Sequence, residues 1–225
     1  SIDIEISKLL KDIREEMINR ETKPEQMRYY DKKARKFFSK PSYEGLDIIN
    51  TMIDSDSYNI RTDIKTITHE NLPLFVYFHG GGWDFSDLDS SDYICSHISR
   101  EANCLVLSVA YRLAPECNYP IPLEDCYMVV KWAYRNLTSN LSFGGESSGA
   151  NLAAAVALKL RDNKDFKLAF QILITPVIKF NYNTESYNIN YNFNLTKEKV
   201  EIFWNHYLED ESQGQESYAS PLLAK

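Results

Sequence analysis

No uninterrupted apolar run in this 225-residue sequence much exceeds the length of a β-strand. Nothing in it could therefore cross a bilayer as a helix. Cysteine is scarce. The four present (Cys95, Cys104, Cys117 and Cys126) show neither CxxC spacing nor the density of a disulfide scaffold. They read as free thiols in a reducing compartment, so the expected location is cytoplasmic. Positive charge is in deficit, 25 Lys and Arg against 32 Asp and Glu for a net −7. That excess of acid argues against a nucleic acid or anionic membrane partner. The start, SIDIEISKLLKDIREEM, lacks the apolar stretch of a secretory signal and an initiator Met, and reads as trimmed or incomplete.

What is present is ordinary for a globular domain, with 44% apolar and 25% charged residues. The length suits one domain with a sizeable core. Ile2, Ile6, Leu9, Ile13 and Met17 recur at helical spacing. Thr22-Lys23-Pro24-Glu25 then reads as a capping box opening a second helix. Met27, Tyr30, Ala34 and Phe37 form its apolar side, and Arg28, Lys32, Lys33, Arg35 and Lys36 are expected as a solvated basic face. Residues 46–68 read as two strands parted by turn residues at 54–57. Short apolar runs then alternate with helical patterns: Leu74–Phe78, a helix near Asp92–Glu101, Leu105–Val109, a helix from about Leu123 to Asn136, Leu141–Phe143, a helix from Gly149 to Leu160, and Ala169–Ile174. Such alternation implies an α/β fold, a mostly parallel sheet flanked by helices. Residues 181–194 have no period and are expected as a loop or lid. Thr196 caps a further helix over about 197–209, and Tyr218–Pro221 is expected to be extended.

Two stretches carry chemistry. Gly145-Glu146-Ser147-Ser148-Gly149 fits G-x-S-x-G only with Ser147 at the centre, and it lies between an apolar strand and an Ala-rich helix. Glycines flanking a tight strand-to-helix turn let the serine hydroxyl stand exposed, beside the unpaired N–H groups of a helix N-terminus. His79-Gly80-Gly81-Gly82-Trp83 directly follows the strand Leu74–Phe78, where main chain without Cβ atoms could approach a reacting carbonyl.

HGGGW (79–83), SVAYRLAPE (108–116) and GESSGANLA (145–153) together resemble the hormone-sensitive-lipase-like branch of the α/β-hydrolases. LPLFVYFHGGGW, YRLAPECNYPIPLEDC, QILITPVIKF and FWNHYLED follow in that family's order. The resemblance implies an α/β-hydrolase core over 46–225 and an N-terminal helical cap over 1–45. It implies hydrolysis of small carboxylic esters through a serine acyl-enzyme, with no cofactor and no metal. Carried over, Ser147 is the nucleophile, and the N–H groups of Gly81, Gly82 and Ser148 form the oxyanion hole. His79 and Gly80, with Gly145, Glu146 and Gly149, support the two motifs, His79 as a loop-ordering residue and not as the base. Glu146 and Ser148 stand where the family more often has Asp and Ala. The connection between Asn136 and Leu141 looks short against the family.

A serine hydroxyl is a weak nucleophile without a base. Only His206 follows Ser147, where this fold places the acid and then the histidine. The order Ser147, Asp165, His206 fails on geometry, because Asp165 enters its strand at the edge of the sheet opposite the nucleophile. His206 is expected as a surface or packing residue. The chain thus reads as ending before the last strands and before the catalytic acid and base. The last strand, near Ala169–Ile174, would be left unpaired, open to a missing C-terminal segment or another chain. A small-molecule binding protein without turnover, or a degenerate fragment, are the alternatives on the same scaffold.

Overall fold

The computed structural model describes residues 23–35, 43–54, 59–66, 72–181, 183–189 and 195–225. The expected helix over Ile2–Met17, the residues Thr22, Lys36 and Phe37, the turn residues 55–57, His69 and the stretch 190–194 lie outside them.

Strand β3 (Leu74–Phe78) is buried at every position, because it has a neighbour on each side and helices on both faces. The sheet runs β1-β2-β4-β3-β5-β6, from β1 (Asp47–Asp54) and β2 (Asn59–Thr66) through β4 (Leu105–Val109) to β5 (Leu141–Glu146) and β6 (Gln171–Ile174). The β1–β2 and β2–β4 pairs are antiparallel, and β3 pairs parallel with β4 and β5, as does β6 with β5. The period of two along each strand sorts the core. Val76, Phe78, Leu107, Val109 and Phe143 join the large cluster with helices α3 (Ile121–Asn136) and α4 (Ser148–Asp162). Phe75, Tyr77 and Val106 turn the other way, onto Cys95 of α2 (Leu88–Ala102). Lys65 is fully buried on β2 and forms an ion pair with Asp92 of α2 at 2.7 Å.

Several elements differ from expectation for local reasons. Helix α2 starts at Leu88, because Asp87 and Ser90 form a reciprocal capping box. β5 continues past Phe143 through both glycines to Glu146. The connection over 137–140 is complete at four residues, the Asn140 N–H donating to Thr138 Oγ1 at 3.1 Å. A short helix α5 (Glu185–Ile189) interrupts the stretch read as structureless. Helix α6 (Lys197–Tyr207) is capped by Thr196 as expected. After it the chain makes two 3₁₀ turns, Glu211–Gln215, capped by Asp210, and Pro221–Leu223; Tyr218–Pro221, expected to be extended, turns between and into them.

Helix α1 (Pro24–Ala34) begins with Lys23 as its N-cap and Pro24 in its first turn. Its basic residues do not form one solvated face. Lys32 and Lys33 are exposed, whereas Arg28 and Arg35 are half-buried and reach other elements. Arg35 pairs with Asp31 at 2.7 Å and with Asp87, the cap of α2, at 2.8 Å.

Among the described residues no helix is long and apolar enough to cross a membrane. At the open edge, β6 exposes Ile172 and Ile174, with Phe170 exposed just before it.

Candidate active site

β5 ends at Glu146 and α4 begins at Ser148, so Ser147 alone turns the chain. It does so at φ 52 and ψ −118, in a left-handed region that costs a non-glycine residue on the order of 1–3 kcal/mol. Hydrogen bonds hold it there. The Ser147 N–H donates to Ile174 O at 2.9 Å, and its carbonyl accepts from Asn151 N–H at 3.1 Å and Val177 N–H at 3.3 Å. Gly149 allows the helix to start this close to the sheet. A Cβ there would stand 2.1 Å from Phe78 O and 2.4 Å from His79 O.

The two motifs meet because their strands are parallel neighbours in register, Phe78 opposite Gly145. The chains leaving β3 and β5 therefore run side by side, with Glu146 against Gly80: a Cβ on Gly80 would fall 2.8 Å from Glu146 Oε1. Desolvation raises the Glu146 carboxyl above its ordinary pKa. Gly81 and Gly82 both take positive φ, 106 and 61. The Gly81 carbonyl accepts from Asp84 N–H at 3.0 Å and Phe85 N–H at 3.1 Å, closing a tight turn. Among the described residues the N–H groups of Gly81, Gly82 and Ser148 donate to no main-chain carbonyl. The Ser148 N–H also belongs to the first turn of α4, at the positive end of the helix dipole.

His79 is 2% exposed and stacks on Tyr111, ring centroids 4.3 Å apart. Its Nδ1 lies 2.8 Å from Gly80 O, and the Tyr111 hydroxyl donates to His79 O at 2.7 Å. Burial lowers the imidazole pKa to about 4, so at neutral pH Nδ1–H is the donor and the ring is uncharged.

One residue at this loop, Asp84, was not singled out by sequence, and its partners Arg28 and His206 were read otherwise. Asp84 is fully buried directly after Trp83, and its Oδ2 lies 2.7 Å from Nδ1 of His206 on α6. Desolvation raises the Asp84 carboxyl, an effect opposed by His206 and Arg28. Arg28 of α1 donates from Nε to Asp84 O at 2.8 Å and from Nη2 to Ala114 O at 2.9 Å. It also grips both carboxylate oxygens of Glu116 at 2.7 Å. His206 is therefore neither a surface nor a plain packing residue. Its acid partner lies 122 residues upstream, a separation no local pattern reveals. Asp165 is engaged elsewhere, by Lys131 at 3.1 Å and by the Tyr127 hydroxyl. His97 packs edge-on against Tyr93. Among the described residues no imidazole is hydrogen-bonded to Ser147, and no three His, Cys, Asp or Glu side chains converge as a metal cage.

A mixed, mostly parallel sheet with a serine at a strained strand-to-helix turn, beside a glycine loop leaving the adjacent strand, defines an α/β-hydrolase. Residues 75–225 match the family described as alpha/beta hydrolase fold. The chain belongs to that family, in its hormone-sensitive-lipase-like branch. It is 37% identical over 166 residues to the carboxylic ester hydrolase LipN of Mycobacterium tuberculosis, covering 68% of this chain and 44% of that protein. Against the putative alpha/beta hydrolase R526 of Acanthamoeba polyphaga mimivirus it is 30% identical over 232 residues, covering all of this chain and 66% of the viral protein. The crystal structure of EstE1, a thermophilic carboxylesterase cloned from a metagenomic library, superposes with a TM-score of 0.83 at 28% identity, covering 90% of this chain and 73% of that one. The chain thus spans about half the length of the mycobacterial relative and two thirds of the viral one.

Proposed function

We propose that the protein hydrolyses carboxylic esters through an acyl-enzyme on Ser147. The observation that carries this is the Ser147 backbone, held at φ 52 between the end of β5 and the first turn of α4, where the residue is partly exposed. Gly81, Gly82 and Ser148 supply the oxyanion hole. Their N–H groups have no main-chain acceptor among the described residues and are free for the oxygen that gains charge when Ser147 Oγ attacks the carbonyl. One such donor is worth about 10²–10³ in kcat. His79 orders the loop through Gly80 O and, with a pKa of about 4, is a poor proton acceptor at neutral pH. The catalytic imidazole and its acid are not among the described residues. In this reading another part of the natural polypeptide brings an imidazole within hydrogen-bond reach of Ser147 Oγ. The substrate is a small ester, and the chemistry needs no cofactor. The four free cysteines, three of them buried, support a reducing, cytoplasmic location.

The test is hydrolysis of p-nitrophenyl acetate by the full natural chain and by its Ser147→Ala variant, with an organophosphonate to label the serine. Loss of a triad serine costs on the order of 10⁶ in turnover. A fall of that size, with the label on Ser147, supports the proposal. Equal rates in both proteins would sink it. Label without turnover would favour a binding protein on this scaffold.

A further inference from the structure

The Gly81–Gly82 peptide has one side pinned. Its carbonyl accepts from Asp84 N–H and Phe85 N–H. Carbonyl and N–H of a planar trans peptide point in opposite directions, so whatever holds Asp84 also aims the Gly82 N–H. Asp84 is held from two helices outside the sheet. Arg28 of α1 binds its carbonyl oxygen at 2.8 Å, and His206 of α6 binds its carboxylate at 2.7 Å. Arg28 is in turn tied to Ala114 O and to both oxygens of Glu116. The grip on Asp84 is therefore rigid from the α1 side. The Asp84 carboxylate is fully buried. Its Oδ1 lies 3.9 Å from Arg28 Nη2 and has no hydrogen bond among the described residues. A buried carboxylate with one hydrogen bond is costly to keep. Its backbone N–H closes the turn that orients the proposed oxyanion donor.

We propose that Arg28 and His206 are positioning residues for the oxyanion hole, acting through Asp84 to fix the direction of the Gly82 N–H. With Nδ1–H given to Asp84, His206 serves as a hydrogen-bond donor in this role, not as the base that deprotonates Ser147. Helix α1 thereby belongs to the catalytic apparatus and is more than a cover over it. This inference rests on the assignment of Ser147 as nucleophile.

The test uses the full natural chain. Active sites are counted by stoichiometric organophosphonate labelling of Ser147, and kcat for p-nitrophenyl acetate is expressed per labelled site, which removes any unfolded fraction. For Arg28→Ala and His206→Ala the expected result is a fall of about ten-fold or more in kcat per site with KM changed less than about two-fold, the split expected when a transition-state interaction is weakened. His206→Asn places an amide N–H near where Nδ1–H stood and is expected to restore kcat to within about three-fold of wild type, since the hydrogen bond to Asp84 returns. Unchanged kcat per site in both alanine variants, however far their melting temperatures fall, would reduce the cluster to scaffolding and overturn the proposal. A His206→Asn variant as inactive as His206→Ala would also overturn it, because the imidazole would then be moving a proton itself. If the wild-type chain takes up no phosphonate at Ser147, the nucleophile assignment fails, and this inference with it. That outcome is distinct from a labelled wild type with unaffected variants.

Discussion

Trp83 and Tyr207 stack nearly parallel, ring centroids 4.2 Å apart and planes 4° from coincidence. Trp83 directly follows Gly82 and itself takes φ 62, a rare conformation for a bulky residue. The stack, with Trp204 at 4.7 Å from the same indole, holds that conformation from outside. Phe203 occupies the space a Cβ on Gly82 would need, 2.5 Å away. Helix α6 is thus pressed onto the glycine loop through four residues of its last turn and a half: Phe203 on Gly82, Trp204 and Tyr207 on Trp83, His206 on Asp84.

The Tyr207 hydroxyl is buried without a hydrogen-bond partner among the described residues. Removing it leaves the stack intact and relieves an unsatisfied polar atom. Tyr207→Phe is therefore expected to stabilise the protein by about 1 kcal/mol, measured by urea unfolding. A loss of stability would show that the hydroxyl is bound.

Glycine at 149 and at 45 should respond differently to alanine. At Gly149 the atoms in the way belong to the backbone carbonyls of Phe78 and His79, at the end of β3, so none can rotate aside. Gly149→Ala is expected to lose about 3 kcal/mol or more and to lose phosphonate labelling at Ser147. Gly45 has φ 71 but open space around it, so Gly45→Ala should cost only about 1–2 kcal/mol, with labelling retained. Thermal unfolding by circular dichroism separates the two.

His79 should make stability sensitive to acid. Its pKa is about 4 when folded against an ordinary imidazole value of 6.5, because burial disfavours the charged ring. Between those values the unfolded chain binds the proton and the folded one does not. The contribution is full above pH 6.5 and is lost as pH falls toward 4, by about 3 kcal/mol in all. His79→Asn keeps an N–H for Gly80 O and removes the titration. Urea unfolding at pH 7 and pH 4.5 should show a shallower acid loss for the variant; equal slopes would mean His79 is not the group titrating.

Ile172 sits exposed on the open edge strand, and an apolar edge is a template for pairing with other chains. For the 225-residue chain, Ile172→Lys is expected to raise the soluble fraction, whereas Ile172→Val is not. Sedimentation of lysates and light scattering of the purified chain measure this. No gain with lysine would mean that aggregation, where it occurs, starts elsewhere.

Local chemistry made much of this structure readable from the sequence. The runs Leu74–Phe78 and Leu105–Val109 appear as strands at the expected residues, because continuous burial and β-branched or aromatic content leave no other element of that length. The Ser147 turn was legible because only a strand, a glycine-flanked serine and a small-residue helix make that geometry. What was not legible depends on pairs far apart in the chain. Arg28 reaches residues 56 and 88 positions away, so a helix surface counted as solvated is in part an internal contact. Asp84 lies outside every motif the sequence offers, and only the packing of α6 gives it His206. The start of α2 was readable in principle, since Asp87 and Ser90 carry a capping box that composition alone hides.

Both peptide groups of Ser147 are tied to the segment around β6: its N–H to Ile174 O, and its carbonyl, shared with Asn151 N–H of α4, to Val177 N–H. Among the described residues β6 has one bonded neighbour in the sheet, so it is an edge, less secured than the central strands. Fraying there and relaxation of the strained serine are therefore a single opening event, not two. Amide hydrogen exchange at Ser147 would follow the free energy of that edge and not of the central strands. Anything that lays a further strand along β6 would slow that exchange and hold the nucleophile in its strained shape, without touching the serine itself.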